Sequence, residues 1–167
     1  MEDAVAVVLR QWQQLFPGLD LAPVALVGRL GRCAALLQQA ADAPLAGAGI
    51  SRPEYEVLAA LRRVGGELTP GRLARETFAS GAAVTKRVRQ LEERGLVVRR
   101  ADGRDRRVAH LSLTVRGREL VDRLLPAQVG HEGALLEGLP EERRRQLAEG
   151  LGELLVLLEG RLGGLPG

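Results

Sequence analysis

A chain of 167 residues with 46% apolar and 27% charged side chains can bury a substantial core and has the composition of a globular protein. Aromatic residues make up only 2%, so the core must be built from Leu, Val and Ala, which favours packed helices over an all-β sandwich. The net charge of +3 conceals an asymmetry: residues 52–123 hold 17 basic and 10 acidic side chains, a surplus of +7, and the remainder nets −4.

A basic centre between acidic flanks points to an anionic partner that touches only the centre, or to a solvated charged surface. Cys33 is the only cysteine, which excludes an intramolecular disulfide framework. No run of about 18 apolar residues is present, so no contact with a membrane is expected. The acidic start, Met1-Glu2-Asp3, lacks the basic segment of a secretory leader. The expectation is a cytoplasmic protein.

In chain order, residues 4–16 read as a helix stopped by Pro17-Gly18, and residues 22–40 as an Ala/Leu-rich helix. Residues 42–49 are rich in Pro, Gly and Ala and read as a loop. Ser51 with Glu54 forms a capping box, with Pro53 in the first turn, and Gly65-Gly66 ends that helix. Thr69-Pro70 opens a short helix over about 70–76, and Ser80 opens another that Gly95 closes. Residues 96–100 and 107–113 then read as two strands around a charged tip, a β-hairpin. Thr114 opens a helix into the 130s with a kink expected near Pro126. Pro140 precedes a last helix that carries Leu147, Leu151, Leu154, Leu155, Leu158 and Leu162 on one face.

This order makes a mainly α protein with a small β-wing, a winged helix-turn-helix flanked by N- and C-terminal helices. The division expected is one domain over 1–167, with a DNA-binding lobe at 50–113 and dimerisation helices at 1–48 and 115–167. The outer helices are too rich in leucine to stand without a partner surface, so a homodimer is expected.

In the helix after Ser80, Val84, Val88 and Leu91 fall on one face and define the core side. Ala82, Thr85, Lys86 and Arg89 project away from it, where they can meet phosphates or base edges of double-stranded DNA. Ser80 and the small residues after it let the positive end of the helix approach a groove closely. At the hairpin tip, Arg104 is placed to enter a minor groove, and Asp105 and Arg107 are spaced to pair across the turn.

Residues 91–100 (LEERGLVVRR), 102–107 (DGRDRR) and 113–117 (LTVRG) resemble the signature of the MarR-type family of winged-helix transcription regulators. The likeness covers nearly the whole chain, including 139–142 (LPEE). It implies a dimer made by the terminal helices, a repressor bound to a palindromic operator, Arg104 as the minor-groove arginine, and Asp105 with Arg107 as a wing brace. The family also implies release of DNA by a small anionic aromatic ligand. The chain is similar to the urate-responsive subgroup at Trp12, Arg87 and Arg99, with Glu56 where that subgroup has Asp, so a purine or another small aromatic anion is the implied ligand.

The residues also allow plainer readings. Arg87 lies about 60° from the centre of the apolar face and can pair with a neighbouring acid as a structural bridge. Trp12 can be a helix-packing residue. Cys33 is expected as a buried thiol, and His110 and His131 as isolated residues that bind no metal with it. No cofactor or metal is expected. Neither a P-loop nor a G-x-G-x-x-G, H-E-x-x-H or G-x-S-x-G motif is present, so the chain does not read as an enzyme. The competing class is a winged-helix protein-interaction module, separable by salt-dependent binding to duplex DNA.

Overall fold

The computed structural model describes residues 2–40, 43–103 and 108–162. The chain forms two compact units, Met1–Asp42 and Ala43–Gly167. Among the described residues no helix is long and apolar enough to cross a membrane.

The first unit is a helix pair, α1 (Ala4–Leu15) and α2 (Ala22–Ala40). Asp3 caps α1 by accepting from the amides of Val5 and Ala6 at 2.9 and 3.0 Å. Arg29 of α2 donates to the same carboxylate at 2.9 Å, which ties the two helices at that end. The Ala6 amide and Arg29 hold the Asp3 carboxyl below the ordinary carboxylate range. The helices approach closely at Gly28, where an added Cβ would lie 3.1 Å from Val5 Cγ1. Neither helix buries a residue, and Val7, Val8, Trp12, Leu15, Val24, Leu26, Val27, Leu36 and Leu37 are exposed. Cys33 is exposed, not buried, because α2 packs too little surface to enclose it.

The second unit holds α3 (Ala43–Ala46), α4 (Arg52–Val64), α5 (Pro70–Glu76), α6 (Gly81–Glu93), β1 (Val97–Ala101), β2 (Ala109–Leu113), α7 (Val115–Leu135) and α8 (Glu141–Leu162). The segment expected as a loop contains the single turn α3, whose Leu45 is fully buried. The Ser51 capping box is present, with Gly65 closing α4 at φ 72°. α7 continues through Pro126.

β1 and β2 pair antiparallel, Val97 opposite Leu113 and Ala101 opposite Ala109. Leu68 adds a third, one-residue edge: its amide donates to the Leu111 carbonyl at 3.0 Å and its carbonyl accepts from Leu111 at 2.8 Å. The core gathers Leu45, Leu58, Leu68, Leu73, Val84, Leu91, Leu111 and Val121 from seven segments.

The joint between hairpin and α7 is tight. Thr114 caps α7 by accepting from the Gly117 amide at 3.0 Å, and its hydroxyl donates to the Gly95 carbonyl at 2.8 Å. A Cβ on Gly117 would lie 2.0 Å from the Leu96 carbonyl oxygen. The glycine of the Leu-Thr-x-x-Gly pattern is therefore a close-approach residue. α8 buries no residue, and Leu147, Leu151, Leu155, Leu158 and Leu162 are exposed.

Candidate nucleic-acid interface

α5 and α6 form the helix-turn-helix. Thr69 caps α5 by accepting from the Arg72 amide at 3.3 Å, and Pro70 sits in the first turn, where its missing N–H leaves no bond unmade. The turn passes through Phe78, a non-glycine residue at φ 50° whose ring is exposed. Ser80 then caps α6 by accepting from the Ala83 amide at 3.3 Å.

Val84, Val88 and Leu91 are 0%, 3% and 0% exposed, so the core face of α6 lies where the periodicity puts it. Ser80, Ala82, Thr85, Lys86 and Arg89 are all exposed. Lys86 makes no ion pair among the described residues. Thr85 donates its hydroxyl to the Gly81 carbonyl at 2.9 Å, so its free capacity is as an acceptor. Arg89 donates to Glu93 at 3.0 Å within the helix. Both partners are largely solvated, and a phosphate can displace so exposed a carboxylate.

The far end of α6 is anchored. Arg94 lies 3.4 Å from Glu54, which also accepts from the Ser51 amide at 2.8 Å. Burial by itself raises the Glu54 carboxyl, but Ser51 and Arg94 together bring it below its ordinary value. One carboxylate thus joins the start of α4 to the end of α6.

In the wing, Arg99 is exposed and stands opposite Leu111. Arg100 grips Glu67 with two hydrogen bonds, 3.2 and 2.8 Å. Arg104, Asp105 and Arg107 lie outside the described residues. His110 is not isolated: its Nε2 is 2.9 Å from Asp102 and its Nδ1 3.7 Å from Glu67. Hairpin pairing places Arg100 and His110 opposite each other, a neighbourhood that spacing along the chain does not reveal.

The four residues singled out for a ligand belong to different elements: Trp12 to α1, Glu56 to α4, Arg87 to α6 and Arg99 to β1. Trp12 belongs to the first unit, where its ring packs 5.9 Å from Phe16. Glu56 is half-buried and lines an open groove of about 700 Å³ with Tyr55, Ala59, Phe78, Val121 and Leu125. Neither Arg87 nor Arg99 lines it. Arg87 is half-buried and makes no ion pair among the described residues. The groove's own arginines are engaged: Arg52 with Glu132 at 3.7 Å, Arg62 with Asp122 at 2.7 Å and Arg63 with Glu76 at 2.6 Å. The aromatic walls Tyr55 and Phe78 escaped the sequence reading. A lone aromatic between two capped helices was the available signal for Phe78.

The family model described as the MarR family matches residues 48–108, which span α4 to the wing. The chain is 29% identical over 152 residues to the HTH-type transcriptional regulator PecS of Dickeya dadantii, covering 90% of this chain and 92% of PecS. The fold is similar to that of BpsR of Bordetella bronchiseptica, whose DNA binding is regulated by 6-hydroxynicotinic acid, with TM-score 0.69, 25% identity, and 77% of this chain and 91% of that one covered. It is also similar to MepR of S. aureus in complex with DNA, with TM-score 0.70, 26% identity, and 79% and 97% covered. The matched helix-turn-helix, the near full-length likeness to PecS and the shared fold make the chain similar to MarR-family winged-helix transcriptional regulators.

Proposed function

We propose that the protein is a homodimeric repressor that binds a palindromic operator through α6 and the wing, and leaves it when a small anionic aromatic or purine ligand binds. The observation that carries the DNA half is the exposed face of α6. Ala82, Thr85, Lys86 and Arg89 stand opposite a fully buried Val84–Val88–Leu91 face on a helix-turn-helix with a wing beside it. Residues 50–113 are assigned to DNA binding, and 1–48 and 115–167 to dimerisation. On the sequence signature, Arg104 is assigned to the minor groove and Asp105 with Arg107 to the brace.

Fluorescence anisotropy on duplex DNA across a salt series tests this half. Arg89→Ala is expected to weaken binding about 5- to 100-fold if Arg89 reads a base. Lys86→Ala is expected to weaken all sequences alike and to flatten the salt slope by about 1 if Lys86 neutralises a phosphate. Binding that is insensitive to salt and to both substitutions would favour a protein-interaction module.

The ligand half draws support from the likeness to the ligand-regulated BpsR and from the groove beside Glu56. Trp12, Glu56, Arg87 and Arg99 are the residues assigned to it. The carboxylate of Glu56 repels an anion and the guanidinium of Arg87 attracts one. Glu56→Gln is therefore expected to tighten, and Arg87→Ala to weaken, the binding of an anionic ligand. Calorimetry with urate, xanthine and salicylate reads both changes. Operator DNA and the ligand must weaken each other by one common factor, on the order of 5- to 150-fold. A DNA-releasing ligand that binds wild type and both variants equally would place the pocket elsewhere.

A further inference from the structure

A small cavity of about 190 Å³ lies where the end of α4, the strand β2 and the first turns of α7 meet. Leu61 and Leu113 give it apolar walls, and Arg62, Ser112 and Arg118 bring polar groups to it. No aromatic ring lines it. Pockets for drug-sized ligands measure about 300–1,000 Å³, so a guest of this cavity is smaller. The cavity shares only Arg62 with the groove beside Glu56.

Two carboxylates stand at or beside the cavity, and both are taken. Glu67, which lines it, accepts from Arg100 at 3.2 and 2.8 Å. Asp122 accepts from Arg62 at 2.7 and 3.3 Å. Arg62 spends Nε and Nη2 on that pair, and its Nη1 makes no hydrogen bond among the described residues. Arg118 is exposed, and its guanidinium makes no hydrogen bond or ion pair among the described residues; it acts on Asp122 only through space. The hydroxyl of the half-buried Ser112 likewise has no hydrogen-bond partner among them. What the cavity has unspent is therefore one positive charge and a set of donors. A guanidinium only donates, and a hydroxyl can do so.

We propose that this cavity is a separate ligand site that takes a small aliphatic monocarboxylate. Arg118 and Nη1 of Arg62 donate to the carboxylate, the Ser112 hydroxyl donates to one of its oxygens, and Leu61 and Leu113 pack on its hydrocarbon. Hydrogen bonds between a guanidinium and a carboxylate are of the strong, charge-assisted kind. One unspent positive charge matches a monoanion, whereas a phosphate dianion meets Glu67 and Asp122 with no second unspent cation to offset them. An amine finds no unspent carboxylate. Ser112 belongs to the wing, Arg62 to α4 and Arg118 to α7, so the guest joins three elements of the lobe without touching α6. The site stands independently of the DNA-binding reading and of its aromatic ligand.

The test titrates the full chain with isovalerate, inorganic phosphate and isopentylamine, and follows the amide resonances of Gly66 and Ser112, which line the cavity. Isovalerate is expected to shift both with a Kd on the order of 1 mM, and phosphate and the amine to bind at least about tenfold more weakly. Arg118→Gln is expected to weaken isovalerate about tenfold or more, and Ser112→Ala about twofold to tenfold. Neither side chain belongs to the core, so both variants should keep the wild-type spectrum away from the cavity. Glu56→Gln, which alters the other groove, is expected to leave isovalerate binding unchanged. Resonances that stay still up to about 50 mM isovalerate overturn the proposal. So does wild-type affinity in both Arg118→Gln and Ser112→Ala, or phosphate or the amine binding there as well as isovalerate.

Discussion

Gly117→Ala is expected to be among the most damaging single changes in the chain. The added methyl would sit 2.0 Å from the Leu96 carbonyl oxygen and 3.3 Å from Leu113 Cδ2. The oxygen belongs to backbone that also accepts from the Thr114 amide at 3.1 Å, so it cannot move aside without breaking the cap of α7. Overpacking of this kind costs typically about 1–3 kcal/mol, and a clash with fixed backbone belongs at the upper end. For a chain of this size that is a fall of about 10 °C in Tm. Gly71→Ala is the control: it sits in α5 with nothing within 4 Å of its Cβ position, so alanine there is expected to be neutral or stabilising by up to about 1 kcal/mol. Thermal unfolding by circular dichroism separates the two, and an unchanged Tm for Gly117→Ala would show that the joint yields.

The second large effect concerns the partner surface. Leu151 and Leu155 are exposed and one helical turn apart on α8. In the single chain, replacing both with Glu removes nothing buried and should leave the monomer intact. In a dimer that covers this face, each leucine contributes about 1.5–3 kcal/mol of burial, so the double variant loses at least about 3 kcal/mol of association. That exceeds a hundredfold in the dimer dissociation constant. Sedimentation equilibrium is expected to show a wild-type dimer at micromolar concentration and a monomeric variant. A well-folded wild-type monomer, or a variant that dimerises as tightly, would remove the proposed dimer.

What was legible in the sequence follows from the range of the forces involved. Helix starts are local: Ser51, Thr69, Ser80 and Thr114 each accept an amide three residues on, and each start falls where the side chain announces it. The core face of α6 is set by a 3.6-residue period over one helix, and Val84, Val88 and Leu91 obey it. Partners brought together by tertiary structure were not legible. The pairing of Leu68 with Leu111 spans a helix-turn-helix, and the two residues between Gly66 and Thr69 have no periodicity to read. His110 meets Asp102 and Glu67 only once the hairpin register is known. Cys33 was expected inside because thiols usually are, yet burial depends on what packs over α2, and one helix hairpin packs little. The Leu-Thr-x-x-Gly pattern was visible, but its cause, the approach of Leu96 to Gly117, was not.

In the proposed dimer, two copies of α6 read one face of a duplex. Selection of bound sequences from random duplex DNA, with sequencing of the recovered pool, tests it most directly. The expected pool is enriched in an inverted repeat whose half-sites are about one helical turn, ~10 bp, apart, with preference relaxed at the position read by Arg89 when Arg89→Ala is selected in parallel. A pool without enrichment, or one converging on a single asymmetric site unaffected by Lys86→Ala and Arg89→Ala, would contradict it.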